Sequence, residues 1–429
     1  MRIILLLLLA IPLSAQSDDL TIRQAIDQAL AHSHALKRSA ALDSASAFAV
    51  SAARAERWPT LSLSGTAQLI ENVPVVQFAP GQSRELGSKE TYQTDLRLSL
   101  PIFTGGKIGY GIDLARASME LQQALSKGDS DRVVFTTWTE YLGLARAREL
   151  VDVAKASQRR AEIISSEVQS LIAAGVADSI DLNDARLALV RAQLGVKQAK
   201  NQLLSAQNRT GVLLGIFPAE GPNPTSVLPD PAASENLKVT IALQNKSEDR
   251  VATANESIAR AKVHLTTADF LPTLSAYGGY TYGKPNGDFF NNKWRDFWST
   301  GANLSWSFNL GGRTSSKKAA ARYELRSAQS ERSRVFEQLS RDARLAQEQL
   351  WLAFNRYETA KSEYQIAGDQ FRQAQARHKN GDLSSNRLLD IETSLTSAQS
   401  SLAASVADYW LAVAYLYYTF GSTKLQEGF

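Results

Sequence analysis

Apolar positions along this chain recur with two periods, and the switches between them mark its elements. Ile22, Ala25, Ile26 and Ala29 fall on one face of a helix that Thr21 can cap. Small residues follow (Ala40, Ala41, Ser44, Ala45, Ala49), so Leu20 to Arg57 reads mostly as one helix suited to close packing. Pro59 ends it, because the residue before a proline disfavours helical backbone. From Leu61 to Leu69 the period becomes two, with Leu61, Leu63, Gly65, Ala67 and Leu69 on one parity and Ser62, Ser64, Thr66 and Gln68 on the other. Residues 72–91, holding Pro74, Pro80 and Gly81, read as a loop. A return strand then places Leu96, Leu98, Leu100 and Ile102 opposite Asp95, Arg97 and Ser99. Gly105 and Gly106 break that strand, and Lys107 to Ala173 runs for 67 residues without proline. As one helix it would be about 100 Å long at about 1.5 Å per residue, and such a helix needs coiled-coil partners. Gly175 ends it, and a shorter helix reaches Asn208.

The succession then repeats. Trp58-Pro59-Thr60-Leu61-Ser62 is echoed by Leu271-Pro272-Thr273-Leu274-Ser275, and Thr104-Gly105-Gly106-Lys107 by Leu310-Gly311-Gly312-Arg313. Gly175 to Gln193 is echoed by Gly381 to Gln399. The chain is therefore two copies of one unit: helix, strand, loop, strand, very long helix, turn, helix. The expected divisions are a signal segment (1–15), a first repeat (16–211), a linker (212–236) rich in proline and glycine, a second repeat (237–421) and a tail (422–429). In the second copy Tyr277, Tyr280 and Tyr282 lie on a strand from Leu274 to Tyr282. Its return strand sets Trp298, Thr300, Ala302, Leu304, Trp306 and Phe308 against Ser299, Gly301, Asn303, Ser305, Ser307 and Asn309. Apolar on one face and polar on the other suits a membrane barrel with a wet lumen, although a soluble sandwich alternates as well. Tryptophan near both ends of the apolar face, with Tyr280, Tyr282 and Phe308, favours an interfacial girdle. A closing cluster (Tyr409, Trp410, Tyr415, Tyr417, Tyr418, Phe420) is suited either to a membrane surface or to packing between helices.

Composition narrows the chemistry. There is no cysteine, which removes disulfides, thiolate metal sites and lipid attachment after the leader. Residues 1–15, MRIILLLLLAIPLSA, have the basic, apolar and small-residue regions of a secretory signal, too short to span a bilayer. Without Arg2 the formal charge of +4 falls to near +3, too small on a chain of 429 residues to leave a nucleic-acid footprint. The four histidines, His32, His34, His264 and His378, are scattered, and His32 and His34, two apart on a helix, do not face each other. No enzyme constellation, cofactor motif or metal-ligand spacing is present, and one methionine after the leader, Met119, cannot form a metal relay.

Taken together, the doubled Pro-Thr-Leu-Ser start of the first strand, the Gly-Gly-Lys/Arg end of the second and the turns at Gly175 and Gly381 resemble the TolC family of outer-membrane efflux channels. The resemblance covers essentially the whole chain after the leader. It implies a mixed α-helical and β-barrel membrane protein. Its trimeric twelve-stranded outer-membrane barrel takes four strands per chain and continues into a long coiled-coil periplasmic tunnel. Four strands cannot close a barrel, and lipid does not tolerate open edges, so sharing between chains follows on physical grounds as well. The implied partners are two further copies, a periplasmic adaptor, an inner-membrane transporter and outer-membrane lipid. The implied activity is passive exit of small molecules. Outer-membrane duty in type I protein secretion and a structural or adhesive envelope role are the alternatives. Residues 72–91 and 283–297 are expected to face the outside of the cell.

The family's helical turns form a constricted tip, here Gly175, Val176 and Asp178 from one repeat and Gly381, Asp382 and Leu383 from the other. Its acidic constriction positions map onto Arg387 and Asp390, so one of them is basic in this chain, and Asp181 and Asp184 stand at the equivalent places of the first repeat. Arg387 can pair with a partner aspartate or face the lumen. Pro59, Pro272, Gly105, Gly106, Gly311 and Gly312 mark the helix–strand junctions.

Overall fold

The computed structural model describes residues 20–429, apart from 86, 217–221, 225–227, 233–242, 244–245, 286–291, 423–424 and 426–429. The apolar leader thus lies outside the described residues, as do parts of the linker, the second strand loop and the tail. In chain order the elements are α1 (Ile22–His32), α2 (His34–Ala55), β1 (Thr60–Leu69), β2 (Val75–Ala79), β3 (Gln82–Glu85), β4 (Glu90–Phe103), α3 (Lys107–Ala173), α4 (Ser179–Leu214), α5 (Ser247–Ala268), β5 (Thr273–Lys284), β6 (Arg295–Ser305), α6 (Arg313–Lys379) and α7 (Ser385–Phe420). The small β2–β3 pair aside, a strand, a second strand, a helix of 67 residues and a helix of 36 residues occur twice in that order. No helix among the described residues is long and apolar enough to cross a membrane.

Several expectations are corrected. Leu20 to Arg57 is two helices, because Ser33 leaves the helical region (φ −53°, ψ 113°). That break turns the rings of His32 and His34 to face each other edge-on, with centroids 5.3 Å apart. Residues 72–91 are not merely a loop: Val75–Ala79 pairs with Gln82–Glu85 around Pro80-Gly81, with Gly81 at φ 85°. Proline followed by a left-handed glycine is the sequence of a type II turn. The helix after Gly175 runs past Asn208 to Leu214. The last strand stops at Ser305, so Trp306 and Phe308 lie beyond it. Ser305 pairs with Thr273, and beyond Thr273 stands Pro272, which has no amide hydrogen to continue the ladder.

The chain divides into two compact units, each drawing on both halves of the sequence. One comprises residues 39–126 and 247–335 and holds the main sheet. Its strands lie in the order β1-β4-β5-β6, all antiparallel. Directly paired residues share a face, so the register sorts the side chains. Leu63 pairs with Leu96, Leu96 with Tyr280, and Tyr280 with Trp298, which makes one apolar row across all four strands. On the other face Ser64 pairs with Asp95, Asp95 with Thr281, and Ser62 with Arg97. Asp95 accepts hydrogen bonds from Thr281 Oγ1 (2.6 Å) and Gln93 Nε2 (2.9 Å), while the Arg97 guanidinium lies 4.5 Å from the centre of the Tyr277 ring. Both the apolar face and the outer edges of β1 and β6 are open: Leu63 is 73% and Trp298 75% exposed.

Polar ties hold the helices of this unit. Buried Glu256 of α5 accepts from Arg260 (2.7 Å) on its own helix and from Arg332 (3.1 Å) on α6. Burial works against the charge, but Arg332, Arg260 and Gln329 outweigh it and hold the carboxyl below the usual glutamate range. The tie is therefore present above the ordinary glutamate pKa and is lost as pH falls through the lowered value. Lys107, the first residue of α3, pairs with Asp269 at the end of α5 (2.7 Å). Gly105 makes that junction possible. Its φ is 63°, and a Cβ there would stand 2.8 Å from Leu271 Cβ and 3.0 Å from the Ala268 carbonyl.

The second unit comprises residues 1–38, 127–246 and 336–429. Thr21 and Gln24 form a reciprocal capping box at the start of α1, whose Ile22, Ala25, Ile26 and Ala29 bury against Val134, Trp138 and Tyr141 of α3. The closing aromatic cluster packs between helices. Tyr409 and Phe420 are buried, and ring donors strap irregular chain onto the bundle. Tyr409 Oη donates to the Ala232 carbonyl (2.7 Å), Trp410 Nε1 to Pro229 (2.8 Å) and Trp138 Nε1 to Leu425 (2.8 Å).

Gly105→Ala is expected to cost about 1–2 kcal/mol from the left-handed backbone alone, with the contacts at Leu271 and Ala268 adding to it. Gly65→Ala is the control, since nothing lies within 4 Å of a Cβ there. Thermal melts followed by the sheet signal check it: the first variant melts earlier and the second does not.

Candidate functional site: the paired helical turns

Both long helices end in the same way. Gly175 (φ 75°) donates its amide to the Ile172 carbonyl and Val176 donates to Leu171, each at 2.9 Å. Gly381 (φ 78°) donates to His378 and Asp382 to Arg377, again at 2.9 Å each. These are two Schellman motifs, which need a left-handed residue and so select glycine. The turns also touch, since a Cβ on Gly381 would stand 3.2 Å from Val176 Cγ1. Beneath them Ile164 and Val168 of α3, Ala185 of α4, Phe371 and Ala374 of α6 and Leu388 of α7 form one buried cluster, joined at its margin by Ala177 and Leu383. The structure thus sets Val176 of the first turn against Gly381 of the second, with Leu383 at the margin of the cluster beneath.

The helices leaving the turns start differently. Asp178 caps α4, accepting from Ile180 N (2.7 Å) and Asp181 N (3.0 Å), and Asp181 returns the bond by accepting from Asp178 N (3.3 Å). The carboxylate of Asp181 is therefore engaged in the cap, at the electropositive end of the helix. In α7 the N-cap Ser384 makes no side-chain cap bond, and the place of Asp181 is taken by Arg387. A cation there opposes the helix dipole. Arg387 and Asp390 are both exposed, three residues apart, and neither forms an ion pair with a described residue. Asp184 is half-buried on α4.

A polar knot below the turns was not legible in the sequence. Glu392 of α7 accepts through one oxygen from Ser157 Oγ (2.9 Å), Arg160 Nε (3.2 Å) and Thr396 Oγ1 (2.8 Å). Arg160 Nη2 donates onward to Thr396 Oγ1 (2.8 Å) and Gln399 Oε1 (3.1 Å). The side chains of Arg160 and Glu392 are only 15% and 11% exposed. A charged pair at this depth needs these extra bonds to offset its desolvation, and it ties the first helical hairpin to the second. Nearer the turn, His378 is fully buried, its Nε2 3.3 Å from Ser385 Oγ and its Nδ1 3.8 Å from Glu167 Oε2. Farther down, burial and then the neighbouring Asp152 push the Glu149 carboxyl up, beside a 330 Å³ gap between α3, α6 and α7.

Two other surfaces bear on function. The outward side of α4 carries Ile180, Leu187, Val190, Leu194 and Leu204, all exposed, and Leu187, Val190 and Leu194 follow the three-and-four spacing of a coiled-coil seam. On the sheet, Tyr280, Tyr282 and Trp298 stand on the apolar face. Tyr282 stacks on Trp294 at 5.1 Å, and Tyr92 lies 6.2 Å from the same ring. Trp306 and Phe308 pair at 4.6 Å past the end of β6, where Trp306 Nε1 donates to the Phe270 carbonyl (3.1 Å). Among the junction residues Gly106 (φ 86°) and Gly312 (φ 73°) take left-handed backbone, whereas Gly311 does not. Pro59 and Pro272 precede β1 and β5. No group of three or more acidic or histidine side chains among the described residues could hold a metal.

A family model described as outer membrane efflux protein matches residues 25–215 and 239–422. Protein CyaE of Bordetella pertussis is 27% identical over 279 residues, 63% of this chain and 56% of that protein, so the match spans little more than half of the relative. A crystal structure of CusC superposes with a TM-score of 0.80 at 16% identity, covering 94% of this chain and 93% of that one. The outer membrane protein VceC of Vibrio cholerae superposes at 0.77 and 17% identity, covering 94% and 96%. At these identities the structural likeness is one of fold.

Glu392→Ala leaves Arg160 buried without its counter-charge and is expected to cost about 3–5 kcal/mol. Glu392→Gln, which keeps an acceptor for Ser157 and Thr396, is expected to cost less. Denaturant midpoints of the two variants check the order.

Proposed function

This chain belongs to the outer membrane efflux protein family, and on that premise we propose that three copies share one barrel and one helical duct in the outer membrane. The duct passively conducts small molecules delivered by an inner-membrane transporter through a periplasmic adaptor. It is a conduit and not a catalyst. The observation that carries this reading is the sheet: four strands, one face with an apolar row from Leu63 to Trp298, an opposite face carrying Asp95, Arg97 and Thr281, and two bare edges. Bare edges cannot stand in hydrocarbon, where each unmet backbone group costs several kcal/mol. Three sheets joined edge to edge give an even-numbered, closed ring with Asp95, Arg97 and Thr281 lining the lumen and Tyr280 and Trp298 facing lipid. The exposed seam of α4 supports the same assembly, since Ile180, Leu187, Val190 and Leu194 would find partners on a neighbouring copy.

We place the constriction at the paired turns, with the turn residues Gly175, Val176, Gly381, Asp382 and Leu383 offered to the adaptor. Asp184 and Asp390 supply acidic groups there, Asp181 holds the α4 cap, and Arg387 is available to an aspartate of a neighbouring copy.

The detergent-solubilised protein is expected to have three chain masses, and a conducting monomer would sink the architecture. In planar bilayers Arg387→Ala is expected to raise the resting conductance and Asp390→Ala to lower the preference for cations. Unchanged conductance and reversal potential in both would move the constriction elsewhere.

A further inference from the structure

The 330 Å³ gap between α3, α6 and α7 has walls of two kinds. Val153 of α3 and Leu402 and Val406 of α7 make an apolar side, continued by Leu228 from the irregular chain before α5. Glu149 of α3, Asp230 and the ring of Tyr364 on α6 make a polar side. The irregular stretch is fixed on either side of Asp230, because Trp410 Nε1 holds the Pro229 carbonyl (2.8 Å) and Tyr409 Oη the Ala232 carbonyl (2.7 Å). All of these residues belong to one compact unit. No residue of α4 lines the gap, so the exposed seam of that helix does not compete for it. A gap of this volume, with apolar walls and a few converging polar groups, has the make-up of a small-molecule site.

The charges around the gap select its occupant. Among the described residues neither Glu149 nor Asp230 forms an ion pair. Arg146, one turn before Glu149 on α3, also lines the gap but pairs with Asp408 (3.5 Å). Lys155 pairs with Asp152 (3.3 Å), and Lys361 feels the charge of Asp230 without lining the gap. Burial first, and then Asp152, raises the Glu149 carboxyl, so the surrounding helices disfavour its charge and no cation of the chain offsets them. An anion would meet two carboxyl groups. A metal ion would lack ligands, since no group of three acidic or histidine side chains among the described residues could hold one. A neutral apolar molecule would leave both carboxyl groups unpaired. An organic cation answers all of these conditions: its ammonium goes to Glu149 and Asp230, its body lies on Val153, Leu402 and Val406, and the Tyr364 ring adds a cation–π contact.

We infer that this gap is a binding site for a small amphipathic organic cation, an ammonium group on an apolar body. The inference goes beyond conduction and does not depend on it, because the site is built within one chain. Its walls come from three helices and the irregular stretch, so an occupant binds only their folded arrangement and stabilises it. Gln399 lines the gap and also accepts from Arg160 (3.1 Å), which places the occupant one hydrogen bond from the Arg160–Glu392 knot.

Calorimetric titration of the full detergent-solubilised chain with the 4-phenylbutylammonium ion tests it. The wild type is expected to show saturable binding. Glu149→Gln is expected to bind about fivefold more weakly, the scale of one partly exposed ion pair, and Val406→Trp, which fills the gap, not to bind. The neutral alcohol 4-phenylbutanol is expected to bind the wild type at least about fivefold more weakly than the amine. Partition of the probe into micelles is common to all variants, so the difference between them reads the site. A second readout is thermal: the probe should raise the melting temperature of the wild type more than that of Glu149→Gln. Absence of saturable binding to the wild type, equal binding by the wild type and both variants, or an alcohol bound as tightly as the amine overturns the inference. Should Val406→Trp fail to fold, Glu149→Gln, at a position that keeps exposed surface, carries the comparison. Binding as expected by a chain that conducts nothing leaves the site standing and removes the duct.

Discussion

Backbone hydrogen bonds at the edges of the sheet are the constraint from which most of this structure follows. β1 and β6 each present one paired side and one bare side. In water a bare edge is tolerable and can be blunted with charge or proline. Here neither device is used: β1 runs from Thr60 to Leu69 without a charge, and β6 carries its charges only at Arg295 and Asp296. The edges are left clean, and in the proposed trimer they pair within lipid. The proposed shared closure would then set the demands on the rest of the chain, since helices leaving a three-fold ring would pack along their length against neighbours as well as against each other.

The helical part answers with two kinds of contact. Apolar packing supplies cohesion, as in the cluster around Ile164, Val168 and Leu388. Polar groups supply address. The Arg160–Glu392 knot pairs a named residue of α3 with a named residue of α7 and tolerates no sliding, because a shift by one turn would leave both charges buried and alone. Packing of alanine-rich helices by itself specifies register weakly, so the knot settles which layers meet.

The fold was largely legible in the sequence because it is written twice. Period-two runs, glycine pairs and proline-free stretches each carry little weight alone, but their repetition in the same order revealed the order of elements, and both long helices begin and end at the residues that the missing prolines and the flanking glycines mark. What stayed hidden has physical reasons. The β2–β3 hairpin was missed because Pro80-Gly81 was weighed as a loop signal, while the alternation beside it was too short to count. The break at Ser33 leaves no mark, since serine is an ordinary residue within small-residue helices. The site was less legible. The glycine turns declared themselves through their conformational demand, whereas Arg160 meets Glu392, and Glu167 meets His378, from positions more than two hundred residues apart. A lone buried histidine reads, in sequence, like any exposed one.

The equal lengths of α3 and α6, 67 residues each, carry a consequence for how such a chain can change over time. Both ends of each helix are pinned by geometry, at one end by a glycine junction leading from the sheet and at the other by a left-handed glycine. Inserting one residue in either helix would advance everything beyond it by about 1.5 Å and turn it by about 100°. The cluster under the turns and the Arg160–Glu392 knot could not follow. Tolerated insertions and deletions in these helices should therefore arrive in matched pairs, one in each repeat, so that lengthening or shortening the two long helices is a single coupled event at two places in the gene.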